Sequence, residues 1–67
     1  MVQLSINGQL QQFESPINVA QLVDYLSLKG KRIAIERNGE IVPRSRFSEE
    51  LLVNGDHIEV VVAVGGG

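Results

Sequence analysis

The stretch Asp56-His57-Ile58-Glu59-Val60-Val61-Val62-Ala63-Val64-Gly65-Gly66-Gly67 decides the fold. From Ile58 to Val64 it is dominated by β-branched residues, the composition of a strand, and it then changes to glycine alone with no polar linker between. Alternation places Ile58, Val60, Val62 and Val64 on the core face and Glu59, Val61 and Ala63 on the opposite one. A run this apolar belongs in the middle of a sheet, because an exposed edge of that composition invites pairing with other chains. The glycines have no Cβ, so Gly65, Gly66 and Gly67 are expected to form a flexible tail that threads a channel too narrow for side chains. Fully extended, three residues reach at most about 10 Å. That predicts a folded domain over residues 1–64 carrying a tail over 65–67, with the Gly67 carboxylate as the group delivered to a partner.

Working outward from that strand, Asn54-Gly55-Asp56 turns the chain into it. Arg44 to Val53 reads as a loop with one helical turn, pinned by Phe47 and Leu51. Glu40-Ile41-Val42 has room only for a short strand before Pro43, which lacks an N–H and so marks an edge or an end. Asn38-Gly39 is a tight turn, and Arg32 to Arg37 is a strand with Ile33 and Ile35 on one face, Ala34 and Glu36 on the other.

At the other end, Val2, Leu4 and Ile6 alternate with Gln3 and Ser5, the period of a half-buried strand. Asn7-Gly8 is the two-residue hairpin signal, since both central residues of a type I′ turn need positive φ. The return strand is predicted over Gln9 to Glu14, with Leu10 pointing inward and a bulge or early end at Phe13, until Ser15-Pro16 stops the ladder. Asn18 followed three residues later by Gln21 is a capping-box start. Val19, Leu22, Val23 and Leu26 then form an apolar stripe at helical spacing. One helix follows, from Val19 to Ser27, with Leu28 packing as it unwinds and Gly30 as its C-terminal cap. Tyr25 and Asp24 fall off the stripe and read as surface residues. The order is hairpin, helix, short hairpin, loop and a final central strand.

Composition narrows the functional classes. At 67 residues the chain is one small domain with little room for an enclosed active site. It has no cysteine, so disulfides, thiolate ligation and a persulfide on its own thiol are excluded. Met1 to Leu4 show neither a basic leader nor a long apolar run, which predicts a cytoplasmic protein outside the membrane. A net charge of −2 and three aromatics, Phe13, Tyr25 and Phe47, argue against a nucleic-acid partner, which would need a basic stripe and stacking platforms. His57 and Glu59 share a strand face, but two ligands are too few for zinc, and no metal or other cofactor is expected on the chain. There is neither a nucleophile elbow nor a phosphate-binding loop ending in lysine, so neither a hydrolase nor an ATP site of its own is predicted, and the chain is not read as an enzyme.

A terminal central strand beside the first strand, with one helix over one face, is the β-grasp or ubiquitin-like arrangement, an α+β fold with a mixed sheet of four to five strands. Over nearly its whole length the sequence resembles the ThiS family, the sulfur carriers of thiamine (thiazole) biosynthesis. The matching stretches are Ile6-Asn7-Gly8, Asn38 to Arg44, and Gly55 to Val60 running into the glycines. The resemblance implies that Gly67 is adenylated by a ThiF-like activating enzyme using ATP and Mg, then converted to a thiocarboxylate with sulfur from a partner's persulfide. Thiazole synthase is the implied acceptor, and the carrier supplies no catalytic side chain. A related carrier for another pathway, such as the small subunit of molybdopterin synthase, also ends in diglycine, and a β-grasp binding module whose tail does no chemistry is a third reading. Threading three glycines costs roughly 3 to 6 kcal/mol of backbone entropy. Body contacts must offset that cost, and the face carrying Glu59, Val61 and Ala63 is the expected docking surface.

Overall fold

The computed structural model describes residues 1–63. Five strands, β1 (Val2–Ile6), β2 (Gln9–Phe13), β3 (Ile33–Arg37), β4 (Glu40–Ile41) and β5 (His57–Val62), form one sheet in the order β2-β1-β5-β3-β4. The last strand is central, parallel to β1 and antiparallel to β3. Helix α1 (Val19–Tyr25) covers one face, and a 3-10 turn spans Arg44–Arg46. The core between them is aliphatic, with Leu4, Val19, Leu22, Leu52, Ile35 and Ile58 the deepest side chains. Burial of each such residue stabilises the fold by about 1.5 to 3 kcal/mol.

Local sequence explains most of this. Asn7 and Gly8 sit at φ 50° and 83°, and Asn38 and Gly39 at 52° and 87°, as type I′ turns require. The capping box is complete. The Gln21 N–H donates to Asn18 Oδ1 at 2.7 Å, and the Asn18 N–H donates to Gln21 Oε1 at 2.8 Å. Two more N–H groups of the first turn are taken by the loop that precedes β5: Val19 donates to the Glu50 carbonyl and Ala20 to the Phe47 carbonyl, both at 3.0 Å. The loop over Arg44 to Val53 is thus tied to the helix N-terminus by the groups a helix leaves unpaired there.

Four expectations are corrected. The two-residue turn sets Val2 opposite Phe13 and Ser5 opposite Leu10 in an unbroken ladder, and β2 ends at Phe13, the early end of the two alternatives there. Phe13 packs against the core, and Leu10 lies on the far face, 69% exposed. The helix ends at Tyr25, two residues early, in a Schellman motif with Ser27 at φ 60°: Leu28 N–H donates to the Val23 carbonyl and Ser27 N–H to the Asp24 carbonyl. Gly30, at φ 84°, serves the following turn, closed by Lys31 N–H on the Leu28 carbonyl. The loop's buried anchor is Leu52, fully enclosed, while Leu51 is 53% exposed and forms only an isolated bridge with Asn18. Tyr25 is exposed as expected, its ring edge-on to Phe13 with centroids 5.0 Å apart.

Candidate functional site

The candidate site is the C-terminal end of β5 and the sheet face beside it. Strand β1 pairs with β5 only at Ser5–His57 and Ile6–Ile58 before turning away. The ladder is continued by a side chain. Asn7 Oδ1 accepts the Val60 N–H at 2.7 Å and Asn7 Nδ2 donates to the Val60 carbonyl at 3.2 Å, the two bonds that the backbone of a longer β1 would otherwise supply. On its other side β5 is paired with β3 as far as Val62–Ile33, and the Ala63 N–H donates to the Arg32 carbonyl at 2.9 Å. The chain is therefore held as far as Ala63, the last described residue. Val64, expected on the core face, and Gly65, Gly66 and Gly67, expected as tail and reacting end, lie outside the described residues.

Glu59, Val61 and Ala63 are all exposed on the face opposite α1. Register brings further residues to that face: Ala34 is paired with Val61, Glu36 with Glu59 and Ile41 with Glu36, while Leu10 lies two strands away beside Ser5. Val61 and Ile41 are each 62% exposed. The result is a sheet face with dispersed aliphatic side chains and the carboxylates of Glu36 and Glu59 between them. Ile41 and Leu10 were not among the residues expected here. For Leu10 the signal was available, because a two-residue turn after Ile6 fixes its register opposite Ser5.

Beneath the start of β5 lies a charged cluster that the sequence did not reveal. Asp56 is buried, and its carboxylate accepts from Arg37 Nε (2.9 Å), from Asn38 Nδ2 (3.0 Å) and from the Val53 N–H (2.8 Å). Arg37 also binds Glu50 at 3.0 Å, and Arg46 reaches Glu50 at 3.5 Å. Burial pushes the Asp56 carboxyl upward, but the Val53 N–H, the Asn38 amide and the Arg37 guanidinium together outweigh it and hold the group below the ordinary carboxylate range. Asn38 is fixed in turn, because its Oδ1 accepts the His57 N–H at 2.9 Å. The cluster locks the β3–β4 turn, the loop and the entry to β5 together. Its buried polar side-chain atoms all have hydrogen-bond partners among the described residues, and Arg37, Asn38, Arg46 and Glu50 line one side of a polar cavity of about 450 Å³.

Among the described residues no group of three or more His, Cys, Asp or Glu side chains could hold a metal, and no helix is long and apolar enough to cross a membrane. His57 and Glu59 are both exposed.

A five-stranded mixed sheet curled around one helix, with its last strand at the centre, defines a small β-grasp domain of the ubiquitin-like class. The model of the ThiS family matches residues 4–67, and the chain belongs to that family, the sulfur carriers of thiamine biosynthesis. The sulfur carrier protein ThiS of Bacillus subtilis is 35% identical over 65 residues, covering 96% of this chain and 98% of its own. The crystal structure of a thiamine biosynthesis protein (ThiS) from Geobacter metallireducens superposes with a TM-score of 0.83 at 28% identity, covering 98% of this chain and all of that one. The thiazole synthase of Paramagnetospirillum magneticum is 36% identical over 66 residues, 98% of this chain, and the chain spans 20% of its length.

Proposed function

We propose that the Gly67 carboxylate is the group on which sulfur is carried. A carboxylate is a poor electrophile, so it must first become an acyl-adenylate, formed by a ThiF-like activating enzyme from ATP with Mg and releasing pyrophosphate. The outer sulfur of a persulfide then adds to the acyl carbon and expels AMP, giving an acyl disulfide, and attack of a second thiol on the inner sulfur breaks the S–S bond, forming a disulfide on the donor and releasing the thiocarboxylate. The chain contains no cysteine, so that sulfur comes from outside, from a partner's persulfide. The thiocarboxylate next donates its sulfur to thiazole synthase for the thiazole of thiamine, in the cytoplasm. All the bond-making groups other than the terminal carboxylate belong to partners, and the chain itself is a carrier and not an enzyme. Gly65 and Gly66 are read as backbone inside the partner's channel, and Glu59, Val61 and Ala63 dock its surface.

The observation that supports this reading most directly is the anchoring of β5 by Asn7 at Val60 on one side and by the Arg32 carbonyl at Ala63 on the other, which holds the strand to the last described residue before the C-terminal segment. The segment that matches thiazole synthases over 98% of this chain supports that enzyme as the acceptor.

Incubation with a ThiF-like enzyme and MgATP should give a C-terminal adenylate, and adding a sulfur source should exchange one carboxylate oxygen for sulfur, both resolved by intact-protein mass spectrometry. Deleting Gly67 withdraws the carboxylate by about 3.3 Å, where a misplacement of about 1 Å already costs about a hundredfold in rate. Normal thiocarboxylate formation in that variant, or in Gly66→Val, would overturn the assignment and favour a binding module whose tail does no chemistry.

A further inference from the structure

The six basic residues divide into two sets. Arg37 and Arg46 are engaged with Asp56 and Glu50. Lys29, Lys31, Arg32 and Arg44 form no ion pair among the described residues and are exposed. Three of these four, Lys29, Lys31 and Arg44, stand around one cavity of about 330 Å³ between α1, the Leu28–Lys31 turn and the 3-10 segment. Its floor is apolar, from Val23, Leu28, Ile33 and Phe47, and Asp24 is the one carboxylate lining it. In a chain of net charge −2, this is a local excess of positive charge set around an apolar hollow.

We propose that this groove binds an acidic polypeptide segment of a partner, which seats one apolar side chain on the floor while its carboxylates meet Lys29, Lys31 and Arg44. The volume is at the low end of the range for ligand sites, about 300 to 1,000 Å³, and suits a single anchoring side chain. The cations come from two separate segments, Lys29 and Lys31 from the turn after α1 and Arg44 from the 3-10 turn, an arrangement suited to charges distributed along a peptide. Phe47 is half-buried and already carries the Arg44 guanidinium 6.0 Å from its ring centroid, so it offers no free platform for stacking a base. The groove is on the helix side of the sheet, opposite Val61. Its residue Ile33 is nevertheless the direct partner of Val62 at the end of β5. An acidic segment seated here would grip the domain beside the end of β5 without covering the other sheet face.

The test does not involve the tail's chemistry. Short synthetic peptides in which Asp and Glu flank a single Leu, Phe or Trp are titrated into the ¹⁵N-labelled chain and followed by amide chemical shifts. Binding should move Val23, Leu28, Ile33 and Phe47, weaken as salt is raised, and fall by about tenfold or more in Lys29→Glu/Lys31→Glu. Both lysines are exposed, and unchanged dispersion of the remaining amides verifies the variant's fold. The proposal is overturned if no acidic peptide moves these amides, or if the shifts fall on Val61 and Ala34 instead. It is equally overturned if inorganic phosphate, anionic vesicles or neutral peptides with the same apolar residue give the same response.

Discussion

Replacing Asp56 by Asn removes one charge and almost no volume, so its effect isolates what the buried carboxylate contributes. Asp56 Oδ2 accepts from Arg37 and from the Val53 N–H, while Oδ1 accepts from Asn38 Nδ2. An amide at position 56 must turn its NH₂ toward one of these donors. Facing Asn38 is no escape, because flipping the Asn38 amide would give up its bond to the His57 N–H. The variant therefore loses charge-assisted bonds and places a donor against a donor. Breaking a buried pair costs about 3 to 5 kcal/mol. Here Arg37 keeps Glu50, and its side chain is 22% exposed, so the expected loss is nearer 2 to 4 kcal/mol, on the order of half of what a domain of this size possesses. With a urea slope of about 1 kcal/mol/M for so small a domain, the midpoint should fall by about 2 M or more. The pH dependence gives a second readout. The folded-state pKa of Asp56 lies below its ordinary value of 3.8, so its stabilisation is fully present above that value and disappears as pH falls through the folded pKa. The parent should lose stability over that acid window, and Asp56→Asn should show a flatter profile there. A midpoint within about 0.5 M of the parent's, or an equally steep acid loss in the variant, would refute the reasoning.

Leu22 is fully enclosed on the helix stripe, so Leu22→Ala should cost about 2 to 5 kcal/mol in urea unfolding, and an unaltered midpoint would show that the helix does not pack as described. Asn7→Gly keeps the positive φ but removes both bonds to Val60. It should cost about 1 to 2 kcal/mol and speed exchange of the Val60 amide, and an unprotected Val60 amide in the parent would contradict the bridge. Val61→Asp, at a position 62% exposed, should change stability by less than about 1 kcal/mol yet raise the activating enzyme's KM for the carrier about tenfold. Unchanged kinetics would remove that face from the docking surface.

What the sequence made legible was whatever is encoded by neighbours in the chain. Alternation in Val2 to Ile6, the Asn18–Gln21 box and the two Asn-Gly turns each need only a few adjacent residues, and the structure follows them. The reading of Leu10 failed because hydrophobicity was weighed above register, although Asn7-Gly8 already determined which residue faces Val2. Leu51 and Leu52 are adjacent in a segment without periodicity, so nothing local distinguishes the buried one. Asp56 looked like an ordinary turn residue because Arg37, the partner that makes its burial tolerable, is 19 positions away. At the site itself, Glu59, Val61 and Ala63 followed from period two, whereas the addition of Ile41 depended on how β4 pairs with β3.

The bridge made by Asn7 limits what position 7 can become. The residue there must accept a φ of 50°, and it must also offer an acceptor and a donor on a stem short enough to meet both the N–H and the carbonyl of Val60. Asp tolerates the turn and supplies the acceptor, but would set a carboxylate oxygen against the Val60 carbonyl. Gly meets the turn and leaves the strand unsupported, while Gln holds the amide one carbon too far out on a backbone less suited to positive φ. The genetic code therefore offers one side chain that meets both demands. Because the bridge closes on Val60, the course of β5 toward the C-terminus depends on a residue near the opposite end of the chain.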